Sequence, residues 1–126
     1  MHILPCLAIG PAPSEKYPQD AVDQETVTEA RKLSVSCLNN MAACHFQWYN
    51  HEAVVSLSSR VLELNPDLVK ALYRRGVSYL RMNEYDRSEE DLVKAAKLEP
   101  GNRAVQVEIN ITYFCCNFPN LFNRSN

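Results

Sequence analysis

The apolar positions of this chain change their spacing sharply along its length. Up to about residue 20 they keep no period: Pro5 interrupts the stretch from Ile3 to Ile9, and Pro11, Pro13 and Pro18 follow. Closely spaced prolines remove backbone donors and disfavour helix, so residues 1–21 read as a Pro-rich, disordered segment. From Val22 the pattern becomes helical, with Val22, Val27, Ala30, Leu33, Cys37, Leu38, Met41 and Ala42 recurring at steps that keep one face. A long helix over about 22–48 is predicted. Asn50 then offers a cap to a second helix carrying Val54, Val55, Leu57, Val61, Leu62 and Leu64, which Pro66 stops. Asp67 is expected to cap a third helix, with Leu68, Ala71, Leu72, Gly76, Tyr79 and Leu80. Asn83 is expected to cap a fourth, with Tyr85, Leu92, Val93, Ala95, Ala96 and Leu98, closed by Pro100-Gly101. A fifth begins near Asn102 and runs through Val105 and Ile109, and residues 111–126 read as an irregular tail.

The helical pattern also repeats. One constant shift superposes Val35 on Val69, Leu38 on Leu72, Ala42 on Gly76, His45 on Tyr79, His51 on Tyr85, Leu64 on Leu98 and Pro66 on Pro100. That shift is the period of the tetratricopeptide repeat, a helix-turn-helix unit. Each matched position has a physical reason. The small residue lets the two helices of a hairpin approach closely, ring residues fill the space between them, and proline ends the second helix. The expected fold is therefore all-α, a right-handed α-solenoid of about two tetratricopeptide hairpins (about 22–66 and 67–100) plus a closing helix from about 102, in a domain over 22–110.

Composition narrows the function. The formal net charge is −2 and no basic run exceeds two residues, so the electrostatic footprint of a nucleic-acid binder is missing. No stretch near the start is long and apolar enough for a membrane span, and none has the basic lead of a signal peptide. The five cysteines are odd in number and lack metal-ligand spacing, which fits a reducing cytoplasmic setting. Cys37 and Cys44 lie seven apart on one helical face and read as core packing, while His45 and His51 hold ring positions of the repeat and read as packing groups, not metal ligands. No cofactor or metal is expected. Two glycosylation sequons, at Asn110 and Asn123, read as accidental.

One cluster carries candidate chemistry. Asn40 and Arg74 are one repeat apart, so stacking puts them at equivalent points on neighbouring first helices. Lys70 precedes Arg74 by four residues and shares its face. Two cations and an amide match a terminal carboxylate plus an aspartate side chain: the lysine supplies a point charge, the arginine a planar donor fork and the amide a neutral donor. Ser36, Asn39, Ala43, Phe46 and Gln47 on one helix, and Tyr73, Val77, Leu80 and Arg81 on the next, are expected to line the rest of a peptide groove, with Phe46 and Leu80 holding an apolar side chain of the ligand. Arg75 reads as structural or surface.

The stretches Leu38-Asn39-Asn40-Met41-Ala42-Ala43-Cys44, Lys70-Ala71-Leu72-Tyr73-Arg74-Arg75-Gly76 and Met82-Asn83-Glu84-Tyr85 resemble the second and third repeats of chaperone-binding tetratricopeptide domains. The likeness runs over about residues 25–109 and is nearest to the large FK506-binding immunophilins and their relatives, including the aryl-hydrocarbon-receptor-interacting protein. It implies a non-catalytic, co-chaperone-like module in which a carboxylate clamp grips the acidic C-terminal tail of heat-shock protein 90 or 70; the alternatives are a repeat fragment of an immunophilin-type peptidyl-prolyl isomerase without its catalytic domain, or a repeat scaffold for a different partner. The family's second-repeat asparagine falls on Asn40, its third-repeat lysine on Lys70 and its third-repeat arginine on Arg74. The lysine and asparagine that the family's first repeat adds have no counterpart in residues 1–20, nor is there an isomerase domain ahead of the repeats. Both ends therefore read as truncations, and the clamp as partial.

Overall fold

The computed structural model describes residues 23–122, and the Pro-rich stretch expected to be disordered lies outside the described residues. Among the described residues six helices follow one another: α1 (Gln24–Gln47), α2 (His51–Leu64), α3 (Val69–Arg81), α4 (Tyr85–Leu98), α5 (Arg103–Asn117) and the short α6 (Pro119–Phe122). The described residues separate into two compact units, up to Ala30 and from Arg31 onward. In the first, Asp23 caps α1: its Oδ1 accepts from the Thr26 amide at 2.7 Å, and hydrogen bonding to Thr26 holds its carboxyl below the usual carboxylate range.

From Arg31 onward the chain is a stack of antiparallel helices. Val61 and Leu62 of α2, Ala71, Leu72 and Val77 of α3, Leu92 and Ala95 of α4, and Val105 and Ile109 of α5 form one buried apolar cluster, against which Val35, Leu38 and Phe46 of α1 pack. Gly76 is what lets α3 and α4 meet closely, because a Cβ there would stand 2.8 Å from Leu92 Cγ. Across the next interface Ser88 of α4 and Thr112 of α5, both buried, share a hydrogen bond of 3.2 Å.

The loops repeat as faithfully as the helices. Tyr49 and Asn83, one repeat apart, both lie in the left-handed region with φ of 57° and 62°. After α3 the amide of Glu84 donates to Tyr79 O at 2.8 Å and that of Asn83 to Leu80 O at 3.1 Å. After α1 the amide of Asn50 donates to His45 O at 3.0 Å and that of Tyr49 to Phe46 O at 3.2 Å. This is the paired bonding of a Schellman cap, which satisfies the last carbonyls of a helix through one left-handed residue.

Four sequence expectations need correcting. Asp67 does not cap α3, whose N-cap is Leu68; its carboxylate instead pairs with Lys94 at 3.2 Å, and Lys94 also donates to Pro66 O at 2.7 Å. Asn83 does not cap α4, whose N-cap is Glu84, because Asn83 is spent on the left-handed turn that ends α3. Residues 111–117 are not an irregular tail: α5 continues to Asn117, with Thr112 and Cys115 buried. Cys37 and Cys44 are exposed, since they share with Leu33 and Met41 a face of α1 that no described element covers. The caps at Asn50 and Asn102 do form, accepting from Ala53 N and Val105 N at 3.3 Å each.

Candidate peptide-binding groove

Helix α3 supplies the centre of the candidate site. Its apolar positions Leu72, Gly76, Val77 and Leu80 turn inward, so the adjacent Arg74 and Arg75, about 100° apart around the axis, leave on different sides. Arg75 meets its own acid. Its Nε and Nη2 donate to the two carboxylate oxygens of the buried Asp91 at 2.7 Å each, and its Nη1 donates to Ser59 Oγ at 3.1 Å. The Asp91 bond holds the Arg75 pKa above its ordinary value against the cost of burial. The Asp91 bonds tie α3 to α4 within the second hairpin, and the Ser59 bond ties it to the first.

Arg74 is different. It is half-buried, burial pushes its pKa down, and it has no carboxylate partner among the described residues. Its Nη1 donates to Asn39 Oδ1 of α1 at 2.7 Å. Lys70, one turn earlier, is exposed and likewise without a carboxylate partner among them, and together with Asn39, Ser36, Val35, Leu68 and Val69 it lines a cleft of about 510 Å³. A cation left partly desolvated with no anion beside it is an unfavourable arrangement that an incoming carboxylate relieves.

The remaining expected groove residues divide. Phe46 of α1 and Tyr73 of α3 lie side by side, ring centroids 6.3 Å apart, and burial, then the charge of Glu108, raises the Tyr73 hydroxyl pKa. Arg81 sits at the other end, with Nη2 at 3.6 Å from Glu108 Oε1 of α5, so part of its charge is already answered. Asn40 stays exposed on α1; its neighbour Asn39 is the amide that reaches Arg74. Val77 and Leu80 do not line the groove: they are 3% and 4% exposed, because α5 closes over that side of α3 and puts Val77 in one cluster with Val105 and Ile109. Leu80 borders instead a smaller cleft of about 200 Å³, with Arg81, Ile111 and Cys115. His45 stacks edge-on against Trp48 at 5.9 Å, and His51 bridges the hairpins to Ser78 Oγ at 3.3 Å.

Sequence reasoning missed Asp91 and Glu108. Both had a signal: each is an acid at a helix position whose repeat register points inward or toward the groove, Glu108 standing one repeat period after Arg74.

Residues 69–102 match the tetratricopeptide repeat model. Over 86 residues the chain is 38% identical to FK506-binding protein 59 of Drosophila melanogaster, a match that takes in 68% of this chain and 20% of that protein. The chain carries a tetratricopeptide-repeat fold. The C-terminal tetratricopeptide-containing domain of a Plasmodium falciparum FK506-binding protein superposes on it with a TM-score of 0.74 over 86% of this chain and 69% of that one, at 24% identity. The chain thus spans about a fifth of the length of this fly relative. No described helix is long and apolar enough to cross a membrane.

Proposed function

We propose that this chain is a co-chaperone-like interaction module that binds the acidic C-terminal tail of heat-shock protein 90 or 70 through a partial carboxylate clamp of Asn40, Lys70 and Arg74. The observation that carries the reading is Arg74. Its neighbour Arg75 shows what a half-buried guanidinium on this helix does when an acid is available: it makes two 2.7 Å bonds to one carboxylate. Arg74 is also half-buried but has no acid beside it among the described residues, and Lys70 stands one turn away. A peptide ending in aspartate brings two carboxylates to that pair of cations, and the exposed Asn40 adds a neutral donor. The half-buried rings of Phe46 and Tyr73 extend the path toward Arg81 and Glu108. The reading keeps the cytoplasmic setting expected from the cysteine pattern.

Each charge-assisted bond contributes about 1.5–3 kcal/mol, and ordering a flexible tail offsets part of it. Three groups therefore support a Kd on the order of micromolar or weaker. Calorimetry with a peptide ending Glu-Glu-Val-Asp tests this directly. Binding is expected for the free acid and lost on amidating the terminus or on Lys70→Ala. Equal heats for the free and amidated peptides would sink the clamp.

A further inference from the structure

We infer that Asn39 is a positioning residue: it holds the Arg74 guanidinium by Nη1 and leaves the Nε–Nη2 edge open for the ligand's carboxylate. The inference rests on the reading of the groove as a carboxylate site.

Arg75 is the internal template. There a neutral oxygen, Ser59 Oγ, takes Nη1 at 3.1 Å, and Asp91 takes Nε and Nη2 at 2.7 Å each. Arg74 reproduces the first half of that arrangement, with the neutral oxygen of Asn39 on Nη1 at 2.7 Å and no carboxylate on the other edge among the described residues. A free arginine side chain loses much rotamer freedom when a ligand immobilises it, and a bond already made in the unliganded protein removes part of that loss. The tether must also be neutral. A carboxylate in the place of the Asn39 amide would satisfy Arg74 from inside and compete with the ligand for the same cation.

The repeat does not demand this amide. The residue one repeat after Asn39 is Tyr73, so an amide there is a local feature of the groove and not part of the hairpin architecture. Asn39 is half-buried, at the wall of the cleft that Lys70 also lines, and its oxygen occupies only Nη1 of Arg74.

The experiment compares Asn39→Asp, Asn39→Leu and Arg74→Ala in the full chain, using calorimetry with the free and amidated Glu-Glu-Val-Asp peptides and thermal melts as a check on folding. Asn39→Asp, nearly the same shape, is expected to melt no lower than the wild type. It should nevertheless lose the preference for the free acid about as completely as Arg74→Ala, roughly tenfold or more. Adding it to Arg74→Ala should change nothing further. Asn39→Leu, which removes the tether without adding charge, should weaken the free peptide by about three- to tenfold and leave the preference for it in place. An Asn39→Asp protein that keeps the wild-type preference, or one that weakens both peptides equally, overturns the inference. If the wild type discriminates and Asn39→Asp matches it, only the positioning role falls; a wild type that binds both peptides alike removes the clamp reading and this one together.

Discussion

Replacing Gly76 with alanine sets two effects of known size against each other. In an exposed helix the change gains about 1 kcal/mol, because alanine is the better helix former. Gly76 is buried against α4, and an added Cβ would stand 2.8 Å from Leu92 Cγ, 3.0 Å from its Cδ2 and 3.3 Å from Asp91 Cβ. Leu92 is fully buried, and its Cγ is a branch point that cannot swing aside, so α4 itself must move outward. Overpacking of this kind costs about 1–3 kcal/mol. The movement would also stretch the two 2.7 Å bonds of Arg75 to Asp91, one residue away on each helix, which puts the cost in the upper part of that range. The net expectation is a loss of about 1–2 kcal/mol. The first hairpin shows the same sum solved differently: one repeat earlier the two positions are Ala42 and Ser58, both fully buried, a larger residue matched by a smaller one. Leu92→Ala should therefore cost less in the Gly76→Ala background than its usual cost of about 2–5 kcal/mol alone, roughly by the overpacking it relieves. Urea denaturation followed by circular dichroism measures all three variants, with Gly101→Ala, where nothing lies within 4 Å of the added carbon, as the control for a glycine outside the packing. If Gly76→Ala instead stabilises the chain by about 1 kcal/mol, as on an open helix, the close approach of α3 and α4 is not set at this residue.

Two further outcomes follow from the loops and from the paired arginine. Asp91→Asn leaves Arg75 half-buried without its acid; discounting the breaking of a buried pair for the 23% exposure of the Arg75 side chain, stability should fall by about 2–3 kcal/mol, while the folded fraction keeps its preference for the free-acid peptide. Loss of that preference in calorimetry well below the melting temperature would tie Arg75 to the groove. Tyr49→Gly relieves a bulky side chain held at φ 57° and 80% exposed, and should raise stability in a denaturant melt by about 1 kcal/mol after the entropy that glycine adds to the unfolded chain. A fall in the midpoint would mean that the Tyr49 ring, edge-on to His51 at 6.4 Å, holds the turn more firmly than its backbone strains it.

The hairpins were legible because the repeat lets one copy settle what the other leaves open. Pro66 and Pro100 end equivalent helices, and Ala42 and Gly76 mark equivalent close approaches, so what one hairpin suggests can be checked in the next. The caps were less legible for a specific reason. Asp67 and Asn83 both look like helix starters, but the chain uses Asn83, as it uses Tyr49, in the left-handed position that finishes the helix before it, and a side-chain oxygen does not announce which of the two ends it serves. Periodicity likewise groups residues on a face without saying whether anything covers that face. Cys37 and Cys44 do share one face, but no described element covers it, while Val77 and Leu80 share a side of α3 that is buried toward α5. The end of α5 was hidden by its polar content: Thr112 is buried because its hydroxyl bonds both Glu108 O at 2.8 Å and Ser88, which a tally of apolar positions cannot register. The same division runs through the candidate site. Lys70 and Arg74 could be named from register alone, since a helix turn and a repeat period place them. That Arg74 is the open arginine and Arg75 the closed one depends on a single carboxylate on another helix, and that Asn39 reaches Arg74 where Asn40 was expected depends on one side-chain bond. Register carries a reading as far as the backbone repeats; which cation is left for a ligand is decided by the individual partners Asn39, Asp91 and Glu108, none of which the repeat requires.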